Sequence, residues 1–300
     1  MRSPKPRCLP EPPRPYPFFL YCKPMSNTSP LSTTIAFIGG GNMASAIIGG
    51  LLRQGLAADQ IEVVEPFEAA RAALKEQFGI NARAEASDAL ARAQLVVWAV
   101  KPQTFKDAAA AAAPHTAQAL HLSVAAGIPT ASIVQWLGSE RIVRAMPNTP
   151  ALIGQGITGL FARPAVDAAG KELVEQVVAS TGKHLWVEQE DQLDAVTALS
   201  GSGPAYVFLF LEAMTQAGVE MGLGAHQSYQ LAVATFQGAS ELAARSSEPV
   251  EVLRQRVTSK GGTTHAAVTH MQEAGVPAQF IAAMRAAEQR AKELAREFGN

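Results

Sequence analysis

The chain has 300 residues, of which 48% are hydrophobic and 17% are charged, so a wholly disordered protein is excluded and one long or two ordinary domains are expected. The 25 basic and 26 acidic residues leave a net charge of -1. The strong basic excess typical of nucleic-acid-binding proteins is therefore missing, and we expect no nucleic-acid partner.

Residues 1–31 differ from the rest of the chain because they hold nine of its 19 prolines. Proline fixes φ and removes an amide donor, so we predict a disordered leader or an incorrectly assigned start. A weak targeting segment is the alternative, although the apolar patch at 16–22 is too short for a convincing signal peptide. Both cysteines, Cys8 and Cys22, lie here, so no disulfide framework is expected in the folded body.

From residue 33 to about 187, β-rich runs alternate with alanine-rich helical stretches. The strand candidates are Thr33–Ile38, Ile61–Val64, Leu95–Ala99, Ala119–Leu122, Arg141–Ala145 and Lys183–Val187. The helices between them include Asn42–Arg53, Phe67–Phe78 and Pro102–Ala112. This alternation, with nearly continuous apolar strands, predicts the α/β class with a doubly wound parallel sheet.

The first predicted strand runs into the glycine turn 39–41, just before a helix. Glycine permits a tight turn and lets a pyrophosphate approach the backbone, while the free amides and the helix dipole hold the phosphates. A plain glycine-rich turn is the alternative. The residues assigned to this cofactor site are Gly39, Gly40, Gly41, Asn42 and Met43. The context predicts a Rossmann-type dinucleotide-binding domain at 32–187.

The second predicted strand is followed by Glu65 and Pro66, which we also assign to the cofactor site. A carboxylate there can accept hydrogen bonds from the adenosine ribose, and it repels a 2′-phosphate. Glu65 therefore favours NADH over NADPH, with a solvated loop carboxylate as the alternative.

Two further loops follow the third and fourth strands, at the sheet edge where ligands bind in open α/β folds. They add Val100, Lys101, Pro102, Ala125, Ala126 and Gly127 to the predicted cofactor site. Lys101 is equally compatible with phosphate binding and with an ordinary surface position. The proline-containing loop 146–150, after the fifth strand, is expected to border the nicotinamide.

From about residue 188 the strand pattern disappears. The helix candidates are Gln192–Leu199, Pro204–Met221, Ala225–Ala244, Val250–Val257, Thr263–Met271 and Pro277–Glu297. The second of these is apolar almost all round, so we expect it to be buried against other helices. About 110 residues of helix have little room for a private core, so we predict an all-helical dimerisation domain at 188–300. No helix is long and apolar enough to predict a membrane span, and we expect a cytoplasmic protein.

Five motifs together resemble those of pyrroline-5-carboxylate reductases. They are FIGGGNM (37–43), AVKPQ (99–103), MPNTP (146–150), LSGSGPAY (199–206) and VTSKGGTTH (257–265). The last two are the specific ones, and the match extends over residues 33–297. The resemblance implies reduction of 1-pyrroline-5-carboxylate to L-proline with NADH or NADPH, the last step of proline biosynthesis. It also implies homodimers that often assemble further into a decamer.

The resemblance also implies roles for residues of the helical half. Reduction of a cyclic imine that bears a carboxylate needs an anion site and a donor near the ring nitrogen. A hydroxyl-rich loop that leads into a helix supplies such an anion site. The substrate-binding residues implied are Ser259, Gly262, Thr263, Thr264 and Glu190. Thr264 is the catalytic candidate, near the ring nitrogen or its proton-supplying water, and Glu190 is implied near the substrate amine.

Several alternatives stay open at this level. Ordinary helix capping also explains the loop at 259–264 and is compatible with substrate binding. Arg256 stands where the family often has an asparagine that contacts the cofactor, and a contact with a phosphate is the alternative left open for it. His265 is either a proton donor or an exposed helix histidine, and the six histidines show no metal-ligand spacing.

Two other functions fit the same architecture. A 3-hydroxyacid-type dehydrogenase uses a lysine on the long central helix of its second domain, whereas helix Pro204–Met221 contains no lysine. A non-catalytic dinucleotide sensor needs no second anion site, so the loop at 259–264 speaks against it.

Overall fold

The computed structural model describes residues 33–299, so the predicted leader with Cys8 and Cys22 lies outside the described residues. Packing divides this part of the chain into two compact units. The larger unit contains the described residues up to Phe208 and those from Ala278 onwards, and the smaller unit is Leu209–Pro277. The predicted division at residue 187 instead follows the change from alternating elements to helices alone.

A seven-stranded sheet forms the centre of the larger unit. Its strands are β1 Ile35–Ile38, β2 Ile61–Val64, β3 Leu95–Trp98, β4 Leu120–Ser123, β5 Ile142–Met146, β6 Gly156–Ala162 and β7 Gly182–Trp186. The strand order is β2-β1-β3-β4-β5-β6-β7, and every neighbouring pair is parallel except β5 with β6. The predicted α/β fold is thus confirmed.

The wholly parallel sheet predicted from the sequence is wrong at one strand, because β6 was not recognised. Only nine residues, 147–155, separate β5 from β6. A parallel neighbour needs a crossover of a dozen or more residues, so the chain can only turn back antiparallel here. Gly156 and Gly159 lower the strand propensity of the segment, which explains why its sequence did not read as a strand.

Helices cover both faces of the sheet. In the larger unit they are α1 Asn42–Arg53, α2 Glu68–Phe78, α3 Pro102–Thr116, α4 Thr130–Leu137, α5 Ala168–Ala179 and α6 Gln192–Val196, which continues into a π-helical turn at Thr197–Gly201. Alternate residues of β1 supply the two cores. Phe37 packs into one buried cluster, and Ala36 and Ile38 pack into the other. This arrangement is the doubly wound architecture that the apolar strands predict.

Five helices of the described residues follow the π-helical turn: α7 Gly203–Glu220, α8 Ala225–Arg245, α9 Val250–Arg256, α10 Thr263–Glu273 and α11 Val276–Phe298. The expected burial of the predicted helix Pro204–Met221 is wrong for the single chain, because Phe208 and Leu209 on α7 are 57% and 64% exposed and Met221, just after α7, is 77% exposed. In the smaller unit Tyr229 and Leu231 are also more than half exposed. Within residues 33–299 no helix combines the length and apolarity that crossing a bilayer requires.

Candidate functional site

The carboxyl ends of four parallel strands bring the predicted cofactor loops together. From β1 the chain moves to β2 on one side and then returns to β3 on the other, so the strand order reverses at β1. Ligands of open α/β sheets bind at such a reversal. The cofactor residues predicted from the sequence lie in the loops after β1, β2, β3 and β4 or at the starts of the helices that follow them, and they share this edge.

The glycine turn after β1 has the geometry that a phosphate site requires. Gly39 has a φ of +97°, and a Cβ there would lie 2.6 Å from the carbonyl oxygen of Ala99. Gly41 is the N-cap of α1 and, having no side chain, makes no side-chain capping hydrogen bond. A Cβ added to Gly41 would meet no atom within 4 Å. The first glycine is therefore needed by the protein itself, whereas Gly41 leaves free space at a helix N-terminus, which fits a dinucleotide pyrophosphate.

Glu65 is tied to the glycine turn. Its Oε2 accepts a hydrogen bond from the Gly40 amide at 2.7 Å, and its Oε1 accepts one from the Phe67 amide at 2.9 Å. The residue is only 6% exposed. Beside it, Arg71 donates to the carbonyl oxygens of Glu65 and Pro66 at 2.9 and 2.7 Å. The carboxylate thus links the loops after β1 and β2, a role that sequence reasoning missed.

The third loop packs directly against the first. A Cβ on Gly39 would lie 3.1 Å from Cγ1 of Val100. Lys101 is exposed and is the N-cap of α3, whose first residue is Pro102. Its carbonyl oxygen accepts hydrogen bonds from the amide and the hydroxyl of Thr104 at 3.0 and 3.1 Å. The ammonium group is therefore carried on a fixed backbone at the sheet edge.

The fourth loop, at 124–129, is held between β4, α4 and the end of α11. Ala125 is buried, and Gly127 has a φ of +75°. A Cβ on Gly127 would lie 3.0 Å from Cβ of Leu294 on α11. The hydroxyl of Ser132 donates to the carbonyl oxygen of Gly299. The C-terminal helix therefore packs against the side of this loop.

Glu190 lies at the connection between the sheet and the helices that follow it. Its Oε1 accepts from the Thr130 amide at 2.7 Å and from Arg144 Nη1 at 3.1 Å, and its Oε2 accepts from the Thr130 hydroxyl at 2.6 Å. The donors belong to α4 and β5, which are 60 and 46 residues away in sequence. The predicted neighbour of this carboxylate was the substrate amine, a contact that the single chain does not test.

The loop at 146–150 is fixed by Asn148. Its amide nitrogen donates to the Ser200 carbonyl oxygen at 3.1 Å, and its Oδ1 accepts from the Ile157 amide at 3.0 Å. One side chain thus joins the loop after β5, the start of β6 and the π-helical turn. The loop after β5 is therefore anchored both to the sheet and to the π-helical turn.

The candidate substrate loop belongs to the smaller unit. Gly262 is the N-cap of α10 without a side-chain capping bond, and its amide donates to the Ser259 carbonyl oxygen at 3.0 Å. Thr263 and Thr264 are exposed on the first turn of α10. Hydroxyls and helix-N-terminal amides are therefore presented together, which suits a carboxylate. Both terminal nitrogens of Arg256 bind the Glu248 carboxylate, at 2.6 and 2.7 Å, and the single chain does not test a contact of this residue with the cofactor.

Two ionisable groups with shifted pKa values are buried in the larger unit. Burial, reinforced by the nearby Arg141, lowers the pKa of His121 on β4 to about 4, and Nδ1 of this neutral ring accepts from Trp98 Nε1 at 3.2 Å. Burial also raises the pKa of Asp194 on α6, partly offset by Arg144 and Lys292. In the part of the chain that the structure describes, no group of three or more His, Cys, Asp or Glu side chains is placed to hold a metal ion.

Comparison with known proteins gives consistent matches over both units. Residues 190–294 match the model for pyrroline-5-carboxylate reductase dimerisation, and residues 34–127 match that for NADP oxidoreductase, coenzyme F420-dependent. A pyrroline-5-carboxylate reductase of Pseudomonas aeruginosa is 47% identical over 268 residues, which cover 88% of this chain and 98% of that protein.

Solved structures agree with these sequence matches. The structure of a pyrroline-5-carboxylate reductase from Coxiella burnetii is similar with a TM-score of 0.82 at 39% identity. The Plasmodium falciparum pyrroline carboxylate reductase with NADP bound is similar with a TM-score of 0.79 at 28% identity. Each comparison covers 88% of this chain and 98% of the other.

Proposed function

The chain belongs to the pyrroline-5-carboxylate reductase family, and from that premise we propose which of its residues bind the dinucleotide, bind the imine and assist the proton transfer. The protein is an NAD(P)H-dependent oxidoreductase that reduces 1-pyrroline-5-carboxylate to L-proline, the last step of proline biosynthesis. The nicotinamide dinucleotide supplies the hydride when it is bound.

The dinucleotide site is proposed at the carboxyl edge of β1–β4. The observation that carries this proposal is the free space at Gly41, directly before the uncapped N-terminus of α1. The backbone amides of Asn42 and Met43 lie at the positive end of the α1 dipole and donate hydrogen bonds to a phosphate of the dinucleotide. Lys101 adds a positive charge at the same edge, and the backbone of 125–127 forms a second wall.

The choice between NADH and NADPH depends in this proposal on Glu65. Its negative charge disfavours a 2′-phosphate on the adenosine ribose. The matching Plasmodium relative binds NADP, so the charge is not expected to exclude NADPH. It sets the ratio of the two cofactors through local repulsion, while its two hydrogen bonds hold the loops after β1 and β2.

The substrate site is proposed at the start of α10. Ser259, Gly262 and the amides of Thr263 and Thr264 bind the carboxylate of the imine, because hydroxyls and amides converge there at a positive helix end. Thr264 also places its hydroxyl near the ring nitrogen, directly or through a water that supplies the proton. A positive charge on that nitrogen makes the neighbouring carbon a better hydride acceptor.

The match to a dimerisation model indicates an oligomer. We propose a homodimer through α7 and α8, with assembly to a decamer as a further step. The side chains of Leu209, Met221 and Leu231 support this, because each is more than half exposed and exposed apolar side chains that group together are typical of an interface. Light scattering on purified protein measures the assembly, and a monomer at micromolar concentration would contradict it.

A cytoplasmic location is part of the proposal and is tested by cell fractionation.

The reaction is tested by following the loss of NADH or NADPH absorbance in the presence of pyrroline-5-carboxylate, with L-proline identified as the product. Turnover of a 3-hydroxyacid without turnover of the imine would contradict the assignment. That outcome is not expected, since α7 contains no lysine.

A further inference from the structure

A partly buried polar network lies between the proposed dinucleotide loop and the beginning of the helical half. Its centre is the Glu190 carboxylate, whose two oxygens together accept three hydrogen bonds from Thr130 and Arg144 at 2.6 to 3.1 Å. Thr130 is fully buried, and Arg144 is only 5% exposed. Groups so well shielded need their partners, because an unpaired buried donor costs free energy.

The network continues beyond Glu190. The Thr130 hydroxyl, which donates to Glu190, also accepts from Arg163 Nη1 at 3.2 Å. Arg163 in turn pairs with Glu140 at 2.6 Å. The hydroxyl of Thr130 thus uses both a donor and an acceptor function, and its orientation is fixed from two sides.

The position of Thr130 gives this network a functional meaning. It is the first residue of α4, and the loop at 124–129 immediately precedes it. The amide of a first helical residue has no partner within its own helix, so a carboxylate that binds it fixes the helix start. Here that carboxylate comes from 60 residues further along the chain, at the point where the sheet ends and the helices begin.

We propose that Glu190 is a positioning residue for the dinucleotide site: through Thr130 it fixes the start of α4 and hence the wall formed by 125–127. This rests on the proposed role of that loop. It differs from the contact with the substrate amine that the family resemblance implied, because the hydrogen bonds described for the carboxylate in the single chain come from protein donors. The guanidinium of Arg144, 3.1 Å from the carboxylate, also helps to hold it in place.

The test measures dinucleotide and substrate binding separately on the full-length enzyme. Glu190→Gln and Thr130→Val are compared with wild type by NADPH fluorescence titration without substrate, and by the KM for the imine and the Ki of L-proline. Both variants are expected to raise the dinucleotide Kd by about 3- to 30-fold, with the KM and the Ki changed less than about 2-fold. In the double variant the dinucleotide Kd is expected to rise by about as much as in the worse of the two single variants, since both substitutions disturb the same contact between Glu190 and Thr130.

Two variants serve as controls. Glu188→Gln removes an exposed carboxylate two residues away and leaves all constants at wild-type values. Thr130→Ser keeps the hydroxyl and restores the Kd lost in Thr130→Val, which a merely space-filling role of this residue does not predict. Melting curves check that each variant is folded. If Glu190→Gln fails to fold, the comparison of the dinucleotide Kd in Thr130→Val and Thr130→Ser still tests the proposal.

The opposite results overturn the proposal. If the dinucleotide Kd, the KM and the Ki are all unchanged in both variants, Glu190 serves neither site. If the KM for the imine and the Ki of proline rise while the dinucleotide Kd is unchanged, Glu190 belongs to the substrate site. Failure of the wild-type protein to bind NADH or NADPH at all would instead refute the proposed function, and with it this inference.

Discussion

The two loop systems of the protein differ in how they are held. The cofactor loops are fixed by the sheet and by one another, as when Gly39 packs on Ala99 and Gly40 donates to Glu65. The loop at 257–264 is exposed, and its internal bond from Gly262 to Ser259 is short-range. The loops proposed for the dinucleotide are therefore held by contacts within one chain, whereas the loop proposed for the substrate leaves the side chains of Ser259, Thr263 and Thr264 exposed.

The largest effect expected from this difference is at Thr264. Thr264→Ala removes the hydroxyl proposed near the ring nitrogen and is expected to lower kcat by about 10- to 1,000-fold, with the affinity for NADH unchanged. Steady-state kinetics and an NADH titration measure the two quantities. Thr269→Ala, one turn and a half further along α10, is the matched control and retains full turnover. Undiminished turnover in Thr264→Ala would remove this hydroxyl from the mechanism.

A pair of glycine variants sharpens the comparison within the cofactor loops. Gly39→Ala places a methyl group on the Ala99 carbonyl at a positive φ and is expected to reduce the free energy of unfolding by about 2–4 kcal/mol. Gly41→Ala meets no protein atom, so it leaves stability unchanged and weakens dinucleotide binding by about 10-fold.

Urea unfolding and NADH titration separate these two outcomes. Equal loss of stability in both glycine variants would show that Gly41 has a structural role and would withdraw the phosphate assignment.

Acid is expected to lower the free energy of unfolding of the larger unit because of the lowered pKa of His121. The folded-state pKa of about 4 lies below the ordinary 6.5, so the unfolded chain binds the proton first as the pH falls. The free energy of unfolding therefore falls between about pH 6.5 and 4, by up to about 3 kcal/mol from this group. Urea titrations at pH 7 and pH 4 measure the loss. His121→Gln, which cannot titrate, should lack this component, and an identical pH dependence in the two proteins would show that His121 is not its source.

The smallest effect is expected at Glu65. Glu65→Ser removes a negative charge from the adenosine side and should shift the kcat/KM ratio several-fold toward NADPH. Glu68→Ser, at an exposed position at the start of α2, is the control for a general change in charge. An unchanged ratio would mean that the Glu65 carboxylate serves the loops alone.

Much of this fold was predictable from local patterns. The limits of β2 and α1 were predicted to the residue, since apolar strands and the start and stop signals of helices are contained in short stretches. The loops at the sheet edge followed from the same strands. β6 was missed because its glycines and its short connection carry no strand pattern.

The parts of the site that were not predictable depend on distant residues. The bonds of Glu190 to Thr130 and Arg144 span 60 and 46 residues, and the bond of Glu65 to Gly40 spans 25. No periodicity or spacing encodes such partners. The exposed apolar face of α7 was misjudged for a related reason, because an apolar helix has the same sequence whether its neighbour is its own chain or another.

The packing of α11 against the loop at 124–129 has a practical consequence for work with this enzyme. Leu294 lies against Gly127, and Ser132 donates to the Gly299 carbonyl, so α11 and the residue after it contact the wall proposed for the dinucleotide and the helix that follows it. A purification tag fused after residue 300 extends from that segment. Kinetic constants for NADH measured on such a fusion therefore need to be compared with those of protein from which the tag has been cleaved.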